Sequence, residues 1–178
     1  LVPDKTQLQE AKNRLENSIN QQTDTDGMTQ DLLNNYNDKL AKARQNLEKI
    51  SKVLGGQPTV AEIRQNTDEA NAHKQALDTA RSQLTLNREP YINHINNESH
   101  LNNAQKDNFK AQVNSAPNHN TLETIKNKAD TLNQSMTALS ESIADYENQK
   151  QQENYLDASN NKRQDYDNAV NAAKGILN

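Results

Sequence analysis

Apolar residues recur three and four positions apart along nearly the whole chain, and one such helix is written twice. The cleanest run is Leu33, Tyr36, Leu40, Ala43, Leu47, Ile50 and Leu54. That alternation is the seam of left-handed helix-on-helix packing. The repeated helix reads Val60-x-x-Ile63-x-x-x-Thr67-x-x-Ala70 with Leu77 beyond, and again Leu122-x-x-Ile125-x-x-x-Ala129-x-x-Leu132 with Leu139 beyond, roughly 62 residues later. Asp68 and Asp130, Asn71 and Asn133, and Ala76 and Ala138 also correspond. Self-similarity at a fixed offset marks a repeat architecture, in which one supersecondary unit is used again along the chain.

Composition decides whether these stripes belong to folded helices. Hydrophobic residues make up only 31% and mean hydropathy is −1.15, values that alone would suit disorder. Strict placement of the apolar residues argues instead for amphipathic helices around thin cores. Asn and Gln supply roughly a quarter of the residues, far above ordinary usage, but not in homopolymer runs. Cysteine is absent, so disulfides and thiol chemistry are excluded. A net charge of −4 with mixed signs gives nucleic acid no electrostatic reason to bind. No apolar run approaches the ~18 residues of a membrane span, so no membrane insertion is expected of this fragment. No signal peptide is visible, and both ends have the character of boundaries inside a longer protein.

The spacing predicts a first helix opening at Asp4, with Gln7 as its capping-box partner and Leu8, Ala11, Leu15 and Ile19 as its stripe. The loop Thr23–Gly27 interrupts it. A second helix from about 29 to 54 would be about 39 Å long. Gly55-Gly56, offering a left-handed cap, and then Pro58 are expected to end it. Thr59 and Glu62 cap a third helix carrying Val60, Ile63, Thr67, Ala70, Leu77, Ala80 and Leu84. Lys74 and Arg81 share that stripe and are expected to lay their stems on apolar surface with their charges in water. Pro90 forces a break near Asn87–Glu89, and a short helix with Tyr91, Ile92 and Ile95 follows. Asn102 and Gln105 cap the next helix, with Phe109 and Val113 on its inner face and Pro117 at its end. Leu122, Ile125, Ala129, Leu132, Met136, Leu139, Ile143 and Tyr146 then form one continuous stripe, followed by a polar linker and a last amphipathic helix through Tyr166, Val170, Ala173 and Leu177. Three helices of matched period joined by short turns make an antiparallel bundle, so two such units are expected.

Motifs with chemistry are few. Asp24-x-Asp26-Gly27 shares part of a calcium-loop pattern, but that register puts Gln22 first and Leu33 twelfth, without the required carboxylate. An ordinary polar turn is the better reading. His73, His94, His100 and His119 lack the paired histidines of a helical zinc site and read as solvated surface residues, so no metal is expected. Neither a phosphate loop nor a Gly-x-Ser-x-Gly elbow is present, and the acidic residues are scattered. No catalytic residues, no cofactor and no enzymatic activity are expected. Among the aromatics, Tyr36, Phe109, Tyr146 and Tyr166 sit on the apolar stripes and read as core, while Tyr91 and Tyr155 fall near unit junctions.

Two stretches resemble known modules. Leu101 to Val113 together with Thr121 to Asn133 is similar to the GA-type module of giant staphylococcal surface proteins. Asn154 to Val170, with the string Asn-Tyr-Leu-Asp-Ala-Ser-Asn-Asn-Lys-Arg, resembles the start of a FIVAR module in the same family, and residues 1–86 resemble a more divergent FIVAR unit. The resemblance implies an all-α fold of tandem three-helix bundles forming an elongated, monomeric rod. Its parts would be a FIVAR-like bundle at 1–86, a GA-like bundle at 87–150, and a linker with the first helix of the next FIVAR-like module at 151–178.

It further implies an extracellular, cell-wall-associated adhesin that binds host matrix, chiefly fibronectin, multivalently and takes part in attachment and biofilm formation. GA modules elsewhere bind serum albumin through their second helix and its flanking loops, here about 103–120. Lys106, Asp107, Asn108 and Lys110 stand there in place of apolar and aromatic groups, which speaks against albumin. The partner-binding face is not legible in the residues. A passive stalk, or a cytoplasmic spectrin-like scaffold, fits the periodicity as well.

Overall fold

The computed structural model describes all residues, 1–178, and is helical throughout apart from its turns and one isolated antiparallel bridge between Met28 and Leu86. It divides into two compact units, Leu1–Asn87 and Arg88–Asn178.

The first unit consists of α1 (Thr6–Asn20), α2 (Gln30–Gly55) and α3 (Val60–Gln83), each packed on the other two. The apolar stripes close on one core: Leu8, Ala11 and Leu15 from α1, Tyr36, Ala43 and Ile50 from α2, and Ile63, Ala70, Leu77 and Ala80 from α3. Ile19, Leu33, Leu40, Leu47 and Leu84 line its margin. Val60 is an exception: at the very start of α3 it is largely exposed. The tail of the unit is zipped to the α1–α2 loop, with the Thr29 amide on the Thr85 carbonyl (2.8 Å) and the Asn87 amide on the Gly27 carbonyl (2.9 Å). Gly27 sits at φ 70°, the left-handed region that a side chain disfavours, and this turns the loop toward that pairing.

Two local expectations change and one holds. Asp4 does not form a capping box with Gln7; its carboxylate accepts from the amide (2.9 Å) and hydroxyl (2.6 Å) of Thr6, the first residue of the helix. The α2 terminus is not closed by a left-handed glycine, since Gly56 lies at φ −101°. Instead the Lys5 ammonium donates to the carbonyls of Leu54 (3.2 Å) and Gly56 (3.0 Å), where a cation suits both the orphan acceptors and the helix dipole. The Thr59–Glu62 capping box forms as expected: the Thr59 hydroxyl accepts from the Glu62 amide (3.1 Å) and the Glu62 carboxylate from the Thr59 amide (2.8 Å).

The second unit holds α4 (Glu89–Asn96), α5 (Asn103–Ser115), α6 (His119–Ile143), the single turns α7 (Tyr146–Gln149) and α8 (Glu153–Leu156), and α9 (Asn160–Leu177). Pro90 occupies the first turn of α4, where no amide is needed. Helices α4 and α5 pack on each other and on α6, and α9 returns along α6. Tyr91, Ile95, Leu101, Phe109, Val113, Leu122, Ile125 and Ala129 are buried, and Met136, Val170 and Ala173 continue the buried series toward α9. Asn102 and Gln105 form the second capping box. Asn102 also donates its amide to the Ile176 carbonyl (3.0 Å), tying the end of α9 to the start of α5.

The stripe expected to run unbroken to Tyr146 is interrupted, because α6 stops at Ile143. Tyr146 belongs to α7, and the polar stretch that follows is not a bare linker but contains α8. The cause is an aromatic cluster: Tyr146 and Tyr155 lie 5.8 and 6.0 Å from the Tyr166 ring, and both hydroxyls donate to Asp167 on α9.

Candidate functional site

Three polar constellations stand out from the thin cores. The first lies in the first unit, in an open groove of about 600 Å³ between α1 and α3. Arg81 is not stretched into solvent, as its place on the stripe suggested; its side chain is only 11% exposed. The guanidinium donates to the Ser18 carbonyl and hydroxyl, to Thr23 Oγ1 (2.9 Å) and to Asp78 (3.0 Å), and it sits 5.8 Å from the centre of the Tyr36 ring. Asp78 also receives the Ser18 hydroxyl and the Lys74 ammonium (2.6 Å). Burial resists ionisation of Asp78, but Lys74 and Ser18 outweigh it and hold the carboxyl below the usual carboxylate range. The bonds of this network all run within the unit, joining α3 to the end of α1 and the loop after it.

The aromatic cluster of the second unit is likewise occupied with itself. Lys174 and Lys150 place their ammonium groups 4.6 and 5.1 Å from the Tyr146 ring. Burial, followed by the Asp167 carboxylate, pushes the Tyr146 and Tyr155 phenols up.

The third constellation joins α4 to α6. His94 Nε2 contacts an Asp130 carboxylate oxygen, and lies 3.1 Å from Glu98 Oε1. Glu98 and Asp130 both meet the same ring nitrogen and also contact each other. Burial and then the Asp130 carboxylate push the Glu98 carboxyl up, while Asp130 is held low because the Glu98 and His94 hydrogen bonds outweigh its own burial. One nitrogen and two carboxylate oxygens all lie within 4.8 Å of one another.

None of the four histidines is fully exposed. His119 meets the Tyr91 hydroxyl (3.3 Å), which also donates to Glu123, and His100 Nδ1 lies 3.0 Å from the Ser99 hydroxyl. The solvated reading of the histidines therefore fails for His94 and His119. A signal was present in the sequence: both have a glutamate four residues on, Glu98 and Glu123, a pairing hidden by a search for two histidines. Asp130, 36 residues from His94, carries no such sign.

Asp24-x-Asp26-Gly27 is a turn in which the Asp24 carboxylate accepts the Asp26 amide (3.0 Å). On α5, Asp107 and Asn108 are exposed; Asp107 pairs with Lys110 (3.0 Å), and Lys106 donates to the Asn96 carbonyl (3.0 Å). Tyr36, Tyr91 and Phe109 are buried.

Two helical units, the first closed by the repeated helix and the second carrying its other copy as α6 with α9 packed along it, define a segment of a helical repeat protein. The chain belongs to the FIVAR domain family, whose model matches residues 11–78 and 135–178; between these lies a match to the GA module over residues 81–135. It is 52% identical to the extracellular matrix-binding protein ebh of Staphylococcus aureus strain MRSA252 and to EbhB of strain Newman, in each case across 99% of this chain. The chain spans only 2% and 4% of the length of those relatives. Its structure is similar to the crystal structure of the EbhA 756–1003 domain of Staphylococcus aureus, with a TM-score of 0.58 at 28% identity, covering 98% of this chain and 67% of that one.

The GA match ends and the second FIVAR match begins at the same position, Ser135, inside α6. One continuous helix thus serves two modules: α4 and α5 pack on it, and α9 returns along it. Continuity of the helix across the boundary explains why the apolar stripe shows no break there.

Proposed function

We propose that this chain is a repeat segment of a bacterial cell-surface adhesin that binds extracellular matrix multivalently, with fibronectin as its matrix partner and attachment and biofilm formation as its role. The observation that carries this reading is the 52% identity, across 99% of the chain, to proteins named extracellular matrix-binding. On this reading the segment is extracellular and wall-associated and performs no catalysis. Residues 1–86 act as one FIVAR-like bundle, 87–150 as a GA-like bundle, and 151–178 open the next FIVAR-like module. A single copy grips weakly, because its aromatic side chains are buried or engaged with one another. Tethered copies raise the effective concentration of every further contact, so affinity grows with copy number.

The second reading is a spacer with no ligand of its own. It is favoured by that same engagement of all the aromatics within the fold. Titrating this segment and a longer tandem over immobilised fibronectin, with serum albumin as comparator, separates the two. Binding that strengthens from the single segment to the tandem supports the adhesin. If neither binds fibronectin at high micromolar concentration, the adhesin reading fails and the spacer stands.

A further inference from the structure

We propose that His94, Glu98 and Asp130 form a binding site for a divalent transition-metal ion of the zinc class, clamping the end of α4 to α6. The donor set is one imidazole nitrogen and two carboxylate oxygens. Imidazole with carboxylate suits zinc and its neighbours, whereas calcium asks for six to eight oxygens. With zinc at about 2.0–2.2 Å from nitrogen and oxygen ligands, adjacent ligand atoms of a tetrahedral site stand about 3.3 Å apart. His94 Nε2 and Glu98 Oε1 are 3.1 Å apart, and all three donor atoms fall within 4.8 Å. A fourth position remains for water.

The frame around these donors is fixed before any ion arrives. His94 lies on α4, and its side chain is 35% exposed, open enough for an ion to enter. Glu98 lies just past the end of that helix and is only 12% exposed. The loop carrying it is held to α6 by the His100 amide on Asn133 Oδ1 (2.9 Å), three residues beyond Asp130. On its other side Lys106 of α5 donates to the Asn96 carbonyl (3.0 Å). Two carboxylates held this close repel each other when both are ionised, and a bound dication removes that repulsion. His119 offers a contrast: it stands 3.9 Å from Glu123 with no second carboxylate or imidazole gathered beside them.

Isothermal titration of the full chain with zinc chloride tests the site, with calcium chloride as comparator. Expected is saturable one-to-one zinc binding, weakened at least about tenfold by His94→Ala and by Glu98→Gln, and unchanged by His119→Ala. Glu98→Gln keeps the side-chain shape and relieves the carboxylate repulsion, so it retains the fold even if His94→Ala does not; circular dichroism checks both. Zinc should raise the melting temperature of the unaltered chain and leave that of Glu98→Gln unmoved. Absence of saturable zinc binding overturns the proposal, and so does zinc binding that survives both substitutions or is lost with His119.

Discussion

Helices α1 to α3 gather their buried side chains into one cluster contributed by all three, and polar ties are confined to its rim. The second unit has shorter helices before α6, eight residues in α4 and thirteen in α5. Each of these buries only two side chains. α4 and the segments flanking it are held by polar contacts: Arg88 on the Val113 carbonyl, His94 on Asp130, the His100 amide on Asn133, and Tyr91 on Glu123. Long helices can be aligned by an apolar stripe alone, since each added turn adds another buried position. Short ones cannot, and directional bonds set their angle and depth.

The sharpest way to break this contrast is to truncate one buried leucine in each unit. Leu77 and Leu122 are both fully buried. Leu77→Ala should cost about 3 kcal/mol in urea unfolding, and Leu122→Ala about the same, because transfer and cavity terms depend on the site rather than on the unit. The difference lies in reach. Hydrogen exchange should quicken along α1 to α3 for Leu77→Ala, whereas for Leu122→Ala it should quicken in α4, α5 and the first half of α6 and spare α9. Equal loosening of α9 would mean that the halves of α6 are not separable supports.

Next in size is the Arg81 network, where the first unit uses the second unit's device most fully. Arg81→Ala strips a nearly enclosed cation from two Ser18 acceptors and Asp78, and should cost about 2 kcal/mol. Arg81→Lys should recover only part of this, since a single ammonium cannot span Thr23, Ser18 and Asp78 together. Full rescue by lysine in thermal unfolding would show that charge alone matters there.

Helix caps allow a like-for-like comparison. Thr59→Ala and Asn102→Ala each remove one half of a capping box and should cost about 1 kcal/mol. Asn102 should be the more damaging, because its amide also holds the Ile176 carbonyl. Denaturant midpoints of the two variants measure the difference.

Both caps were legible from Thr59-x-x-Glu62 and Asn102-x-x-Gln105, as were the helices and most of the core, because the three-four period and the capping box are local in sequence. What stayed hidden was long-range or a matter of side-chain reach. Lys5 closing α2, Arg81 turned inward, and Asp130 brought to His94 each join residues far apart in the chain. The interruption of α6 was invisible for a related reason: Tyr146 keeps the apolar spacing while leaving the helix for the α9 aromatics. Periodicity reports which face a residue occupies, not whether the backbone continues beneath it.

The smallest expected effect concerns acid. Asp78 is held below the usual carboxylate range by Lys74 and Ser18 against its burial, so in the folded chain it gives up its proton more readily than in the unfolded one. The stability this supplies is fully present above the unfolded value, about pH 4. It is lost as pH falls through the lower folded value, because there the unfolded chain binds the proton first. The Asp78 side chain is 37% exposed, so solvent screening keeps the contribution below about 1 kcal/mol. Asp78→Asn should therefore lower the melting temperature slightly at pH 7 and not at all near pH 2, flattening the acid limb of the stability curve. Unchanged acid sensitivity in that variant would assign the limb to other carboxylates. The Arg81 network would then act through its hydrogen bonds to the Ser18 backbone and Thr23, as the second unit's clamps do, and the electrostatic part of the contrast between the units would vanish.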